Sequence, residues 1–247
     1  MTIRKKFLWG ALVFLAGMAT CAIGVGYGWV HMTRPAPDLS DRLKSGDIVF
    51  QTDTSEQSWP VMLATRSLYS HVGLVRVAKD KNGKRKATVL EAVNPVREID
   101  FSDWVQRGLA ERILVKRIGN LDITGRTGRK IVDTALAFST QQIDKPYDIY
   151  FRSADDTFYC SELVYDAYSA AGIEVGQIEK VSDMALDAAP VQALIHQRMK
   201  RHPDCLEKGA TDVDACMAII KAQELVTPAS IAADKKLETV YSNYGVD

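Results

Sequence analysis

The sequence predicts an α+β protein in which a mostly antiparallel sheet packs against helices. Strand-like segments are grouped in the first half of the chain, and Asn82-Gly83 between two of them is the strongest hairpin signal. Two later segments, 127–140 and 161–171, carry apolar residues at helical spacing. Strands grouped apart from helices favour α+β over an alternating fold with a parallel sheet.

The composition indicates a folded protein and excludes one class of partner. Of 247 residues, 47% are hydrophobic and 25% are charged, which is typical of a globular chain. The 31 Lys and Arg residues balance the 31 Asp and Glu residues. Because nucleic-acid affinity depends on neutralising phosphates, this balance predicts no nucleic-acid partner. We also expect no cofactor and no metal.

Residues 1–34 differ from the rest and predict a membrane segment. Basic residues at positions 4–6 precede an uncharged run of 24 residues, 7–30, which as a helix of roughly 36 Å would cross a bilayer. Positive charge before such a run places the N-terminus in the cytoplasm. The length of the run, with Tyr27 and Trp29 near its end, favours an uncleaved anchor, and a cleaved signal peptide is the alternative.

Residues 35–247 are exported under either alternative, and a segment of this length can form one domain. Prolines at positions 35 and 37 predict a short extended linker at the start of this segment. With an anchor, the protein would be a single-pass inner-membrane protein whose domain lies in the periplasm. With a cleaved signal, the same domain would be secreted to the periplasm.

The exported segment divides into strands and helices in a clear order. Turn residues at 43–47 precede the first apolar stretch, and Gly172 ends the second long helix. The predicted strands are 48–50, 71–77, 88–93, 113–118 and 237–244, and the predicted helices are 59–69, 127–140 and 161–171.

Cys160 is the candidate nucleophile. It immediately precedes the helix predicted at 161–171. A thiol at a helix start faces unpaired backbone N–H groups and the positive end of the helix dipole, and both favour the reactive thiolate. The same N–H groups could stabilise an oxyanion on a substrate. A buried cysteine that packs as a small apolar side chain is the alternative.

His71 is the candidate base, and Glu91 is the residue that would orient it. His71 opens a strand, so its ring can be aimed rigidly, although a half-exposed strand histidine is the simpler interpretation of such a residue alone. A catalytic imidazole needs a carboxylate or amide to hold its tautomer. A strict two-residue Asn82-Gly83 loop would place Glu91 on the face away from His71, whereas a loop one residue longer or shorter would place both on one face. Asn94 is the alternative residue that could orient His71 in place of Glu91.

Two blocks of sequence together resemble a known family. They are Ser70-His71-Val72-Gly73-Leu74-Val75 and, far downstream, Lys145-Pro146-Tyr147-Asp148 followed by Phe158-Tyr159-Cys160-Ser161-Glu162-Leu163-Val164. The pattern closely resembles the YiiX/YebB-like cysteine hydrolases, a circularly permuted branch of the NlpC-type, papain-like superfamily. The order fits, because His71 precedes Cys160 as the permuted branch requires. The resemblance covers about residues 43–172, more weakly 225–244, and it implies a circularly permuted papain-like fold.

The resemblance also implies roles for individual residues. Cys160 would be the nucleophile, His71 the base and Glu91 the third, orienting residue. Tyr147 resembles the active-site tyrosine of NlpC-type enzymes, which lies near the oxyanion, and a core aromatic is its other interpretation. Asp47, in the family's opening turn, is expected to be structural.

The activity that the resemblance implies is hydrolysis of an amide bond through an acyl-enzyme intermediate. A position outside the cytoplasmic membrane favours a cell-wall peptide or an N-acylated small molecule, including a lipid amide, as substrate. Two alternatives stay open. One is a lipid-directed acyltransferase or esterase, as in the related lecithin:retinol acyltransferase-like proteins, and the other is an inactive, membrane-tethered module that binds a ligand. Loops such as 51–59 and 151–156 are expected to set specificity.

The stretch near 196–224 is not part of the recognised pattern and is interpreted as a helical insertion. It contains Cys205 and Cys216. Because exported proteins meet an oxidising compartment, a disulfide between these cysteines is the favoured interpretation. A zinc site completed by His196 and His202 is the alternative, although the spacing lacks the usual close pair of cysteines.

Basic residues are frequent between positions 107 and 130. The simplest interpretation is a solvated face, and anionic lipid headgroups are a weaker alternative ligand. The residues are Arg107, Arg112, Lys116, Arg117, Arg126, Arg129 and Lys130.

Overall fold

The structure is a computed structural model that describes residues 39, 41–122, 125–153, 156–210 and 212–245. The membrane segment predicted at 1–34 lies outside these residues, and so does the linker that follows it. Within the described part of the chain, no helix combines the length and the apolar character needed to cross a membrane.

A six-stranded sheet forms the centre of the fold, and two further short strands pair with each other. The strands are β1 (Ile48–Gln51), β2 (His71–Lys79), β3 (Arg85–Glu91), β4 (Arg97–Asp100), β5 (Leu114–Ile118), β6 (Ile178–Lys180), β7 (Glu224–Val226) and β8 (Leu237–Ser242). The sheet has the order β4-β3-β2-β1-β5-β8, and β6 pairs with β7 separately. Every pair of neighbouring strands is antiparallel. The α+β prediction with a mostly antiparallel sheet is therefore confirmed.

Helices cover the sheet and continue into the second half of the chain. They are α1 (Ser58–Thr65), α2 (Phe101–Arg107), α3 (Arg126–Gln141), α4 (Cys160–Ala170), α5 (Ala189–Met199), α6 (Pro203–Glu207), α7 (Val213–Lys221) and α8 (Pro228–Ala232). Helices α3 and α4 pack on each other, and α4 also packs across β2. The start of α4, which carries Cys160, is thereby held against the sheet.

Strand β1 separates two apolar layers. Successive side chains of a strand point to opposite faces of the sheet. Ile48 and Phe50 pack in the layer that contains α3 and α4, whereas Val49 packs in the layer that contains Trp104 of α2. Both faces of β1 are buried. This double burial explains why the strand is an unbroken apolar run in the sequence.

The loop between β2 and β3 has three residues, not the strict two of a simple Asn-Gly turn. Lys79 pairs with Arg85, and the N–H of Asp80 donates to the carbonyl oxygen of Lys84 at 2.8 Å, so residues 81–83 form the loop. Asp80 accepts hydrogen bonds on its carboxylate from the backbone N–H groups of Asn82 and Lys84, at 2.8 and 2.9 Å. Gly83 has a φ of +78°, which glycine adopts without strain. The extra residue shifts the register by one and decides which side chains share a face.

The strands and helices predicted from hydrophobic pattern are present, with ends that differ by up to a few residues. Hydrophobic pattern did not predict β4 and α2, which together cover 97–107, the short β6–β7 pair, helix α8 or most of helix α5. All four residues of β4 are partly buried, with no alternation between core and solvent. A pattern of period two is therefore absent from β4, and β6 and β7 are too short and too distant in sequence to signal their pairing.

Asp47 has the structural position expected for it. Its side chain is buried and pairs with Arg117, whose Nε lies 2.6 Å from Asp47 Oδ1. Its backbone carbonyl accepts from the N–H of Val75 on β2. Burial raises the pKa of Asp47, and the hydrogen bond from Arg117 opposes that rise. Arg117 is thus tied to the core, and the basic stretch from which it comes is not uniformly a solvated face.

The predicted disulfide is confirmed. Cys205 in α6 and Cys216 in α7 are bonded, with their Cα atoms 5.2 Å apart. Both sulfurs are buried among apolar side chains. The alternative zinc site does not fit, because its two sulfur ligands are consumed in the disulfide and His196 is exposed whereas His202 is buried.

Removing the disulfide with the double substitution Cys205→Ser/Cys216→Ser is expected to lower the free energy of unfolding by about 3 kcal/mol, because the bond closes a short loop in the unfolded chain. Urea titration followed by circular dichroism measures this change. Dithiothreitol should destabilise the parent protein by a similar amount and leave the double variant unchanged. An identical unfolding midpoint for the parent and the double variant would contradict the prediction.

Candidate active site

Cys160 is the first residue of α4. Tyr159 precedes the helix in an extended conformation, and its N–H donates to the carboxylate of Glu162 in the first turn at 3.3 Å. Cys160 is 5% exposed and has a free thiol. Its Sγ lies 4.0 Å from the carbonyl oxygen of Ser70, the residue before β2. The sequence prediction that Cys160 stands at a helix start is therefore confirmed.

His71 is held at the beginning of β2 by the strand beside it. It pairs with Gln51 at the end of β1, and the N–H of Ser70 donates to the carbonyl of Gln51 at 3.1 Å. The imidazole is buried and stacks on the ring of Trp104, with centroids 6.0 Å apart. The ring is thus fixed by backbone pairing on one side and by an aromatic face on the other.

Glu91 lies on the same face of the sheet as His71. The three-residue loop produces this arrangement, and His71 Nε2 donates to Glu91 Oε2 at 2.7 Å. Gly73 lies between the two residues, and a Cβ on it would come within 2.5 Å of a methyl carbon of Val89. A larger residue at position 73 would therefore force the Val89 side chain to move.

Two arginines hold the other side of the Glu91 carboxylate. Arg107 Nη2 donates to both oxygens at 2.6 Å, and Arg97 Nε donates to Oε1 at 3.0 Å. The Glu91 side chain is fully buried, whereas both arginines are about half-buried. The prediction of a solvated face is therefore wrong for Arg107. Because α2 and β4 carry the two arginines, the missed elements are the ones that complete this carboxylate site.

The pKa values of His71 and Glu91 are displaced in opposite directions. Burial lowers the pKa of His71, but its hydrogen bonds to Cys160 and Glu91, and the charges of both, outweigh burial and raise it to about 10. Burial raises the pKa of Glu91, but His71 and Arg107 outweigh it and lower the value to about 2. Since Nε2 of His71 is bonded to Glu91, Nδ1 is the nitrogen left for Cys160. These shifts favour a protonated His71 ring beside the Glu91 carboxylate.

Tyr147 is positioned beside Cys160 by the backbone. It forms a parallel bridge with Phe158, two residues before Cys160. Burial and the nearby charge of Cys160 raise the pKa of Tyr147 well above its ordinary value, so the hydroxyl keeps its proton. Its oxygen accepts from Gln57 Nε2 at 2.8 Å, and Gln57 Oε1 accepts from Arg198 at 2.8 Å. The Tyr147 proton therefore remains available for donation.

The candidate residues lie between a mainly apolar chamber and a groove that is more open to solvent. Cys160 contributes to the wall of the chamber, His71 contributes to the groove, and Tyr147 borders both. Gln57 lies in the loop 51–59, which is expected to set specificity, and Tyr150 immediately precedes the second such loop, 151–156. Both residues also border both spaces. A substrate bound across this boundary would present its reacting atom to Cys160.

A comparison with known families identifies the chain. Residues 42–241 match the family described as permuted papain-like amidase enzyme, YaeF/YiiX, C92 family. The chain belongs to this family. The match spans the whole sheet and includes the disulfide-bearing helices. Membership in the C92 family confirms the recognised resemblance and supports hydrolase activity in general.

Individual relatives agree with the family match. Uncharacterized protein YiiX of Escherichia coli strain K12 is 32% identical over 195 residues, which are 78% of this chain and 89% of that protein. A crystal structure described as metalloprotein yiiX from Escherichia coli O157:H7 is similar with a TM-score of 0.65 and 30% identity, and the match covers 81% of this chain and 98% of that chain. In the described residues of the present chain, no group of three or more His, Cys, Asp or Glu side chains is arranged to hold a metal ion.

The sequence of this C92 family member predicted Cys160, His71, Glu91 and Tyr147 as candidates, and these four residues lie near one another. It missed Arg97 and Arg107 on Glu91, and Gln57 and Arg198 behind Tyr147. A buried glutamate requires cationic partners, so Glu91 itself was the available signal for the arginines. Nothing local to positions 57 and 198 indicates their contacts.

Proposed function

We propose that this protein is a cysteine hydrolase that cleaves an amide bond through an acyl-enzyme intermediate. The observation that carries the proposal is the buried pair of His71 and Glu91, 2.7 Å apart, which adjoins Ser70, whose carbonyl oxygen lies 4.0 Å from Cys160 Sγ. A structural cysteine needs neither a basic partner nor a carboxylate behind that partner. Membership in a family of permuted papain-like amidases supports the amide as the bond that is cleaved.

In the proposed resting state the Cys160 proton has already passed to His71 Nδ1, so the reaction begins from a thiolate beside an imidazolium. The thiolate attacks the substrate carbonyl carbon, and the Tyr147 hydroxyl and backbone N–H groups at the start of α4 donate to the resulting oxyanion. When the C–N bond breaks, His71 returns the proton to the leaving amine and a thioester remains on Cys160. His71 then takes a proton from water, which attacks the thioester and releases the carboxylic acid. Glu91 keeps the imidazole oriented throughout.

We further propose that the domain acts in the periplasm and is tethered to the inner membrane through its N-terminal segment. The charged residues before the apolar run at 7–30 support this orientation. A cell-wall peptide, an N-acylated small molecule and a lipid amide are all reachable from this position. Protease protection of the full-length protein in intact spheroplasts tests the orientation, because only an outward-facing domain would be digested.

Alkylation tests whether Cys160 is activated. Iodoacetamide at pH 7 is expected to modify Cys160 at least about tenfold faster in the parent protein than in His71→Ala, because the variant lacks the imidazolium that stabilises the thiolate. Peptide mass spectrometry assigns the label to Cys160 rather than to Cys21. The exposed histidine of α5 provides a matched control, His196→Ala, which should alkylate at the parent rate. Labelling no faster than a free thiol would instead support the inactive binding module.

Substrate panels separate the amidase from the lipid-directed alternative. Fluorogenic acyl-peptides and N-acyl amides form one panel, and phospholipid esters form the other. Turnover of amides supports the proposal, whereas turnover of phospholipid esters alone would show that an esterase or acyltransferase is the correct assignment.

A further inference from the structure

His202 is a buried histidine whose imidazole has no hydrogen-bond partner in the described part of the chain. The residue is 2% exposed, and both ring nitrogens lack a partner. Its backbone is engaged, because its N–H donates to the carbonyl of Met199 and its carbonyl accepts from the N–H of Leu206 at the start of α6. Buried polar groups are almost always paired, since an unpaired one loses its hydration without compensation. The His202 ring therefore requires an explanation.

The side chains around this ring are engaged elsewhere. The ring of Tyr150 lies edge-on to His202, with centroids 5.2 Å apart. Gln223 Nε2 donates to the backbone carbonyl of Tyr150 at 2.9 Å, and Asp204 pairs with Arg152 at 2.9 Å. Gln223 is near enough to influence the pKa of His202, but no hydrogen bond of acceptable geometry joins the two side chains. The described residues around His202 thus leave its imidazole unpaired.

The environment of His202 favours the neutral imidazole. Burial is the main influence and lowers the pKa of His202 below its ordinary value. The charge of Asp204 and the proximity of Gln223 oppose this effect, and the charges of Arg152 and Arg198 reinforce it. A neutral imidazole offers one N–H donor and one acceptor nitrogen. The group that matches it is uncharged and both donates and accepts.

The unpaired ring belongs to the wall of the chamber that Cys160 also lines. Most of this wall is apolar, and several of its other polar side chains bond to the protein. Thr65 and Ser161, for example, each donate to a backbone carbonyl, at 2.8 and 2.9 Å. Of the described buried side-chain atoms that lack a partner, the ones in a residue of this wall are the two ring nitrogens of His202. His202 therefore gives the apolar wall a hydrogen-bonding point that a ligand can use.

We propose that His202 is a specificity-determining residue that hydrogen-bonds an uncharged hydroxyl or amide group on the part of the substrate that enters the chamber. The inference rests on the proposed amidase function, because it names a feature of the molecule that Cys160 would cleave. A ligand that is hydrocarbon alone leaves the buried imidazole unpaired, whereas a hydroxyl or amide pairs with it, and this difference produces selection. The expected substrate is apolar in the chamber except at one such group.

Titration with two matched small probes tests the recognition. The probes are hexan-1-ol and 1-fluorohexane, which are similar in size, but only the alcohol donates a hydrogen bond. They are titrated calorimetrically into the full-length protein in lipid nanodiscs, with protein-free nanodiscs as the blank. His202→Leu is expected to raise the Kd for hexan-1-ol about tenfold and to change the Kd for 1-fluorohexane less than about twofold. Equal changes for both probes, or no binding of hexan-1-ol to the parent protein, would overturn the inference.

Three further variants make this titration specific. His202→Gln retains a donor and an acceptor, so its Kd for hexan-1-ol should stay within about threefold of the parent value. The exposed histidine of α5 supplies a matched control, His196→Leu, which should leave both Kd values unchanged. His202→Phe keeps a ring beside Tyr150 and repeats the titration if His202→Leu does not fold. It should show the same loss of hexan-1-ol binding as expected for leucine.

The stability of the unliganded protein tests whether the His202 ring serves the fold instead. A ring without partners contributes no hydrogen bond to the folded state, so His202→Leu should have a melting temperature equal to or above that of the parent protein. Thermal unfolding followed by circular dichroism measures this temperature. A fall of more than about 5 °C in both His202→Leu and His202→Gln would indicate a partner within the protein and would overturn the inference.

Hydrolysis of fluorogenic acyl-peptides and N-acyl amides by the same proteins separates this inference from the amidase function. Binding of hexan-1-ol that depends on His202, without hydrolysis of any amide, would refute the amidase and retain the site at His202. Hydrolysis together with binding of hexan-1-ol that does not depend on His202 would refute the site and leave the amidase function intact.

Discussion

Replacing Cys160 with serine is expected to reduce kcat/KM for amide hydrolysis by about 10⁴-fold or more, since removing the nucleophile of a hydrolase abolishes the covalent route. A serine hydroxyl gives up its proton much less readily than a thiol, so His71 would no longer face an anion. Steady-state kinetics with an N-acyl coumarin amide measures the loss. Mass spectrometry of the parent protein, quenched in acid during turnover, should find the acyl group on the peptide that contains Cys160.

The other cysteines supply the control for this substitution. Cys205→Ser/Cys216→Ser removes two sulfurs away from His71 and should keep its activity per folded molecule. Cys160→Ser changes one atom, so its melting temperature should stay near that of the parent protein. Activity above a tenth of the parent value in a folded Cys160→Ser protein would assign the nucleophile to another group.

Replacing Glu91 with glutamine is expected to lower kcat by about 10²- to 10⁴-fold, because a neutral amide no longer holds the imidazolium and can favour the wrong tautomer of His71. The same change should lower the free energy of unfolding by about 3 kcal/mol, since it removes the anion from a buried site that Arg97 and Arg107 enclose. Kinetics and urea titration measure the two effects. A loss of activity without a loss of stability would mean that the arginines find another anion.

The pH dependence of stability gives a second measure of this site. The His71 pKa is raised from 6.5 to about 10, so its contribution is complete below pH 6.5 and is lost as pH rises through 10. The Glu91 pKa is lowered from 4.5 to about 2, so its contribution is present above pH 4.5 and is lost as pH falls through 2. Glu91→Gln should abolish the loss of stability at acid pH. It should also move the loss at basic pH to a lower pH, because it lowers the His71 pKa.

Glu98 provides a matched glutamate for comparison. It pairs with Arg76 at 2.6 Å on the same sheet, but both side chains are partly exposed. Glu98→Gln is therefore expected to cost less than about 1 kcal/mol and to leave kcat unchanged. Equal effects of Glu91→Gln and Glu98→Gln would show that Glu91 has no special relation to His71.

Local patterns in the sequence were sufficient to predict the main elements and to place two of the candidate residues, Cys160 and His71, within them. The helix after Cys160 has apolar residues at helical spacing and ends at Gly172, so its start could be placed within a residue. His71 could be placed at the first residue of a strand in the same way. These features depend on neighbours within a turn of helix or a few strand positions, which a sequence displays directly.

The sequence could not decide whether His71 and Glu91 lie on the same face of the sheet. Asn82-Gly83 indicated a hairpin, yet the face of Glu91 depended on one residue of loop length. The carboxylate of Asp80 caps two backbone N–H groups in the loop and so stabilises the longer form. Side-chain capping of this kind competes with the simple turn, and a dipeptide signal alone does not resolve the competition.

The sequence by itself predicted the α+β class, the order of the chief elements, the disulfide as the favoured pairing and four candidate residues. Only the tertiary structure decided the register at Glu91, its two arginine partners, the Gln57–Tyr147–Arg198 contacts and the division between chamber and groove. The elements follow from short-range periodicity and turn chemistry, the candidate residues from local position and a resemblance in motif order, and the disulfide from the oxidising compartment expected for an exported chain. The features that the tertiary structure decided join residues as far apart as positions 57 and 198, whose proximity arises only when the sheet and helices pack.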